Sequence, residues 1–266
     1  MNSTPSRQTP DDISLAQWAL VEELQAGRWT NLDFPRIARQ DFGINGIEFV
    51  NTFFAVPTET YLRELRFRAR DQGVEMILIM VDEEGDGCSD TVAGRRQFVI
   101  NHRKWVDIAH FLGCRAIRTN CRGPQGADPA EALQWAAESY HGLLDYAAGA
   151  QVEILIENHG GFSNDPDWLL DLMREVNRPQ FGIYPDWRRP MDDFDNFGFL
   201  EKTLPYARGM SYRNQPTEEL TARMIGLCRR SGYHGWYGIE SNGRDEILKG
   251  IALLRKYLLT DSVVGR

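Results

Sequence analysis

The sequence predicts an α/β fold, a single (β/α)8 TIM barrel, from three observations. Eight short apolar, β-rich runs alternate with stretches of helical period. Runs such as Met76 to Val81 are almost wholly apolar, as parallel strands covered on both faces must be. Gly43, Gly73, Gly113 and Gly232 each fall just past a helical stretch, where a left-handed cap suits glycine. The chain has 266 residues, near the usual length of one such barrel. A doubly wound open sheet would need a phosphate-cradling glycine loop after its first strand, and Gln17-Trp18-Ala19-Leu20 is not one.

Taken in order, Ile13 to Trp18 reads as the first strand and Phe34 to Phe42 as a short amphipathic helix stopped by Gly43. Gly46 to Asn51 is the second strand. Thr58 to Gln72 repeats Leu62, Leu65 and Ala69 at helical spacing. Val74 to Val81 is the third strand, followed by a long helix from Val92 to Leu112. Arg115 to Asn120 and the helix Pro129 to Ala148 come next, then Val152 to Ile156 and the helix Pro166 to Val176. Phe181 to Asp186 precedes a short helix, Phe197 to Leu204. Arg208 to Arg213 precedes Pro216 to Ser231, and Trp236 to Glu240 precedes the closing helix, Asp245 to Leu259. Residues 13–260 are expected to form one domain behind a loose polar tail, 1–12, which has no apolar signal-peptide core.

Composition narrows the partners. A net charge of −8 argues against nucleic acid or an anionic membrane surface, because phosphate binding needs clustered Lys and Arg. No run approaches the ~18 to 20 apolar residues of a membrane span. The four cysteines, Cys88, Cys114, Cys121 and Cys228, form no CxxC pair, which fits a reduced cytoplasmic protein. A small-molecule partner is expected, and a homodimer is compatible with the aromatic content but not required by it.

The chemistry concentrates where strands end. Ile154-Leu-Ile-Glu157-Asn-His159-Gly-Gly161 runs from buried strand into a turn, and the other strands end in the same polar way. Strand two offers Glu48 and Asn51, strand three Asp82, and strand four Arg118 and Asn120. Strand six offers Asp186 and Arg188, strand seven Ser211 and Arg213, and strand eight Glu240 and Asn242. In a barrel these ends converge on one pocket. Glu157, Asp186 and Glu240 close apolar strands at nearly the same depth. Three like charges in a partly dry pocket need a cation, a shared proton or arginine partners. An oxygen-rich set suits Mg²⁺ or Mn²⁺, with Zn²⁺ or Co²⁺ if an imidazole joins; pairing with Arg118, Arg188 and Arg213 is the ion-free alternative. The Asp192-Asp-Phe-Asp195-Asn196 run reads as an acidic loop on the pocket side. His102, His110, His141 and His234 read as structural or surface residues.

Several stretches resemble the xylose isomerase-like TIM barrels, the sugar phosphate isomerases and epimerases. They are Ile156-Glu157-Asn158-His159-Gly160-Gly161, Pro185-Asp186 and Gly232-Tyr-His-Gly-Trp-Tyr-Gly-Ile-Glu240, with support from Ser14-Leu-Ala-Gln17-Trp18 and Gly46-Ile-Glu48-Phe-Val-Asn51. The resemblance runs from about Ile13 to Leu258. It implies a divalent cation held from strands five, six, seven and eight, at Glu157, Asp186, Ser211 and Glu240. Ser211 departs from the pattern: the family's His-x-Lys-Asp is Ser211-Tyr212-Arg213-Asn214 here, so the cation is left with three carboxylates, with His159 recruited, or is absent.

The resemblance implies an isomerase or epimerase acting on a sugar or sugar derivative through an enediolate. Glu157 and Glu240 would move the proton, and His159 would orient or protonate an oxygen. Arg118, Arg188 and Arg213 would clamp a carboxylate or phosphate. Glu48, Asn51, Asp82 and Asn120 would bind substrate, and Trp18, Phe53, Phe54 and Trp187 would form apolar walls for a sugar face. Two alternatives share the pocket: a lyase or dehydratase beginning with the same proton abstraction, and a metal-free sugar-binding protein. A metal-dependent nuclease is disfavoured by the acidic charge and the shortage of histidine at strand ends.

Overall fold

The computed structural model describes residues 12–188 and 194–259. The polar tail is therefore outside the described residues except for Asp12, and so are Asp192 and Asp193 of the acidic loop. Asp12 is not tail: its carbonyl accepts from the Tyr237 amide at 2.9 Å, so it extends the first strand.

Eight parallel strands form the sheet: β1 (Ile13–Ala16), β2 (Gly46–Val50), β3 (Glu75–Met80), β4 (Ala116–Thr119), β5 (Glu153–Glu157), β6 (Phe181–Tyr184), β7 (Gly209–Tyr212) and β8 (Trp236–Ile239). Their order is β6-β5-β4-β3-β2-β1-β8-β7. The seam between β6 and β7 closes through isolated bridges, Ile183 with Ala207 and Asp186 with Ser211. There the Ser211 amide donates to the Pro185 carbonyl and the Trp187 amide to the Ser211 carbonyl, both at 2.9 Å. The chain is thus a (β/α)8 barrel, as its alternating pattern predicts.

The helices are α1 (Val21–Gln25), α2 (Phe34–Arg36), α3 (Glu59–Asp71), α4 (Val92–Leu112), α5 (Pro129–Ala147), α6 (Pro166–Val176), α7 (Asn196–Thr203), α8 (Glu218–Arg230) and α9 (Arg244–Leu259). Local sequence starts them cleanly. Asp128 accepts from the amides of Ala130 and Glu131 ahead of α5, and Asp165 from those of Asp167 and Trp168 ahead of α6, each with proline at the next position. Each such cap stabilises its helix by about 1 kcal/mol. Two expected elements change character partway along. The first strand ends at Ala16, because Gln17 to Leu20 coil into a 3-10 turn and the Gln17 side chain accepts from the Val50 amide at 2.7 Å. The stretch Phe34 to Phe42 opens as α2 but widens into a π-turn over Ile37–Asp41, which still buries Ile37, Ala38 and Phe42.

Strand alternation divides the core. Ile154, Ile156, Ile183, Met210, Tyr237 and Ile239 face the helices. Ala16, Val50, Leu78, Met80, Ala116, Leu155, Tyr184 and Trp236 fill the lumen. Each fully buried Ile or Leu stabilises the barrel by about 1.5 to 3 kcal/mol relative to exposure. One residue past each lumen plug's outward-facing successor, the next inward position is polar: Glu157 after Leu155, Asp186 after Tyr184 and Arg118 after Ala116.

Candidate active site

The inward polar positions meet at the C-terminal mouth of the barrel in a cleft of about 770 Å³. Glu157, Asp186 and Glu240 are all buried there, each offering one oxygen within 4.8 Å of the others. They come from β5, the bend after β6 and the end of β8. Asn158 fixes the depth of Asp186, since its Oδ1 accepts from the Asp186 amide at 2.7 Å and its Nδ2 donates to the Asp186 carbonyl at 3.1 Å. Asn51 holds Asp82 in the same way, with bonds of 2.8 and 2.9 Å.

Two arginines lie among the acids. Arg118 is fully buried; its Nη1 donates to Asp82 Oδ1 at 2.6 Å and its Nε stands 2.8 Å from Glu157 Oε2. That Nε–Oε2 contact is close but not aligned as a hydrogen bond, so Glu157 Oε2 remains a buried acceptor without a donor pointed at it. Arg213 donates from Nε to Asp186 Oδ1 at 2.9 Å and from Nη1 to the Glu240 carbonyl at 2.9 Å, and its Nη2 pairs with Glu240 Oε2. Ser211 Oγ also donates to Glu240 Oε2, at 2.7 Å.

Burial raises the pKa of Glu157, and the nearby Asp186 and Glu240 charges add to it; the misaligned Arg118 opposes them without prevailing. Glu240 is raised by burial and by Asp186 despite Arg213 and Ser211. Burial would raise Asp82 too, but Arg118 and Asn120 over-balance it and hold it low. The cleft therefore retains a carboxyl proton toward neutral pH, as close carboxylates do when they cannot all ionise.

His159 follows on the β5 loop. Burial, helped by Arg118 and Arg122, lowers its pKa to about 4, so the imidazole is neutral at physiological pH. Its Nδ1 lies 2.8 Å from Asn120 Oδ1 and 3.3 Å from Arg122 Nη2. The shorter contact assigns the proton to Nδ1, donating to Asn120, and leaves Nε2 bare as an acceptor. Gly161 makes the loop possible: it sits at φ +57°, and a Cβ there would lie 1.9 Å from the Arg122 carbonyl oxygen. The Phe162 amide donates to that same carbonyl at 2.9 Å, docking the β5 loop on the β4 loop.

Of the residues expected in the pocket, Trp18, Asp82, Arg118, Asn120, Glu157, His159, Asp186, Arg213 and Glu240 line the cleft. Three do not. Glu48 lies lower in the lumen, bonded to Ser14 at 2.6 Å and to Tyr184, and lines a separate cavity of about 410 Å³ near the N-terminal strand ends. It is mid-strand, two residues short of the mouth, so its inward direction is right and its depth wrong. Asn51 is spent on clamping Asp82. Arg188 turns aside to stack on Phe194, 5.3 Å from the ring centre. Among the aromatics, Phe54 and Trp187 are core, whereas Trp18 and Phe53 pack edge to face over the lumen at 5.1 Å. Arg122 was not expected; it lines the cleft and donates from Nε to the His159 carbonyl at 3.0 Å. The inward series 118, 120, 122 contains its signal. His234 lines the lower cavity, opposite the cleft.

The three acids can hold a divalent ion only as an all-oxygen set. Ser211 spends its hydroxyl on Glu240, and two triad oxygens already pair with Arg213, leaving both oxygens of Glu157 and the second oxygens of Asp186 and Glu240. Such a set fits a hard cation, Mg²⁺ or Mn²⁺, better than Zn²⁺.

Residues 37–199, more than half of the chain, match the xylose isomerase-like TIM barrel family. The chain belongs to that family. Among relatives of this xylose isomerase-like barrel, a human protein named provisionally as a hydroxypyruvate isomerase is 27% identical over 243 residues, covering 81% of this chain and 86% of the relative. A D-tagatose 3-epimerase-like protein superposes with a TM-score of 0.73 at 15% identity, covering 92% of this chain and 96% of its own. A family member from Mycobacterium smegmatis, solved in complex with magnesium, gives 0.66 at 18% identity, covering 86% and 89%. The two structural likenesses concern the fold alone.

Proposed function

We propose that the protein is an isomerase or epimerase of a small sugar or sugar derivative, moving a proton on the carbon beside a carbonyl through an enediolate. The observation that carries this reading is the buried triad of Glu157, Asp186 and Glu240, two of whose members have raised pKa values. A base that removes a carbon-bound proton, and an acid that returns it, work best with pKa values above the ordinary carboxylate range, and burial moves both groups in that direction. Glu157 and Glu240 stand on strands separated by β6 and β7, so they approach a bound substrate from different sides of the mouth. Asp186 is held in place by Asn158 and Arg213. The bare Nε2 of His159 accepts from a substrate hydroxyl and returns its proton. Arg118 and Arg213 present N–H groups toward the oxygens on which charge develops. Arg122 stands at the cleft edge for an anionic end of the substrate. A divalent cation, when bound through Glu157, Asp186 and Glu240, supplies further polarisation of the hydroxyl-carbonyl pair. The relatives' names, isomerase and epimerase, and a cleft the size of a small sugar's support the same reading.

The test is solvent exchange. The purified chain is incubated in D₂O with hydroxypyruvate, D-tagatose and a panel of three- to six-carbon hydroxy-carbonyl compounds. Deuterium should enter the carbon next to the carbonyl, and Glu157→Gln and Glu240→Gln should each slow entry by about 10²- to 10⁴-fold. No exchange with any compound, or exchange unchanged in both variants, sinks the proposal.

A further inference from the structure

Every member of the triad touches a guanidinium. Glu157 Oε2 is 2.8 Å from Arg118 Nε, Asp186 Oδ1 accepts from Arg213 Nε at 2.9 Å, and Glu240 Oε2 pairs with Arg213 Nη2. Arg213 is pinned further by the Glu240 carbonyl, and Ser211 occupies the same Glu240 oxygen. Two guanidinium groups carry two positive charges, the charge of one divalent ion. They are bound to strands β4 and β7, not drawn from solution.

We infer that Arg118 and Arg213 are the resident counter-charge of this triad, and that Arg213 together with Ser211 holds the site's affinity for divalent cations low. Three features of the donor set lead to this. The imidazole that the resemblance places on strand seven is replaced by a hydroxyl that donates to a carboxylate instead of offering a lone pair to a metal. The side chain two residues on, facing the same way along β7, spans two of the three acids as a fork whose planar geometry matches carboxylates. An incoming dication that takes the second oxygens of Asp186 and Glu240 meets this fixed positive charge on the same two carboxylates and is repelled by it. Arg118 is shared with Asp82 and fully buried, so it cannot swing away. Arg213, less buried, with its side chain 22% exposed, is the member able to yield.

The inference rests on the reading of this cleft as the active site, but its test reads ion binding, not turnover, so it stands or falls apart from the exchange experiment. Mn²⁺ is titrated into the full chain after chelator treatment, and free Mn²⁺ is followed by electron paramagnetic resonance. The wild-type protein should bind more weakly than about 0.1 mM, and Arg213→Gln should tighten binding by at least about tenfold. Arg213→Lys, which keeps the charge, should remain weak, and Ser211→His added to Arg213→Gln should tighten binding again. One Mn²⁺ per wild-type chain held below about 0.1 mM overturns the inference, and so does an Arg213→Gln variant that binds no tighter than wild type. Should Arg213→Gln fail to fold, the wild-type titration decides alone against the same threshold.

Discussion

At the scale of single residues, His159 shows how placement sets a role. Its imidazole is neutral because burial and two arginines disfavour the charged form, and its tautomer is set by Asn120. The ring is also partly open to the cleft, its side chain 40% exposed, so little packing depends on it. His159→Gln should therefore leave the thermal midpoint nearly unchanged, within about 0.5 kcal/mol of stability, while lowering turnover about 100-fold. Asn120→Leu should lower it less, about tenfold, by freeing the ring to rotate. Wild-type turnover in His159→Gln would leave the histidine no part in the chemistry. The triad and His159 were legible in the sequence because apolar runs ending in acid, amide and imidazole announce both strand and mouth. Glu48 was misplaced because alternation reports the face of a strand and not the depth along it. Arg188 and Arg122 show the same limit in loops: beyond the strand end, direction depends on neighbours such as Phe194 and the His159 carbonyl, which are distant in sequence.

At the scale of elements, the site depends on loops docked backbone to backbone. Gly161 and Gly73 both occupy the left-handed region, at φ +57° and +63°, but a Cβ on Gly73 would meet nothing within 4 Å, whereas one on Gly161 would strike the Arg122 carbonyl. Gly73→Ala should therefore cost only the conformational strain, about 1 kcal/mol, with turnover intact. Gly161→Ala adds a backbone collision, so the β5 loop must lift away, carrying His159 with it. Its melting temperature should fall further than that of Gly73→Ala, and its turnover should fall with it. Equal losses in the two variants, with activity preserved, would show that the loop docking does not position the histidine. The strand and helix succession was readable because apolar runs alternate with stretches of helical period, several of them closed by glycine, as at Gly73 and Gly113. The shortened first strand and the π-turn after α2 were not, since both follow from tertiary contacts, the Val50 amide donating to Gln17 Oε1 and the inward packing of Ile37 and Ala38.

At the scale of the whole molecule, the lumen carries acid at two depths, and the deeper one bears on stability. Glu48 is fully buried, with Ser14 and Tyr184 as its hydrogen-bond partners and, among the described residues, no basic side chain bonded to it. Gly238 makes the room, since a Cβ there would lie 2.4 Å from Glu48 Oε2. Burial pushes the Glu48 pKa up from 4.5 to about 7, against the opposing pull of those two hydroxyls. The folded state therefore binds a proton that the unfolded chain has already released between these values. Stability from this group is fully present below pH 4.5 and is lost as the pH rises through 7, a change of about 3 kcal/mol. Glu48→Gln removes the titration and leaves one of the two hydroxyls without an acceptor, a penalty of about 1 kcal/mol that does not vary with pH. The two proteins should then cross in urea unfolding experiments, wild type being the more stable at pH 4 and Glu48→Gln at pH 8. Glu157 and Glu240, whose pKa values are raised, are present in both proteins, so the difference between the curves reports Glu48 together with its coupling to Glu240. Parallel stability curves from pH 5 to 8 would mean that Glu48 is ionised in the folded barrel across that range, with some positive charge reaching it through the lumen.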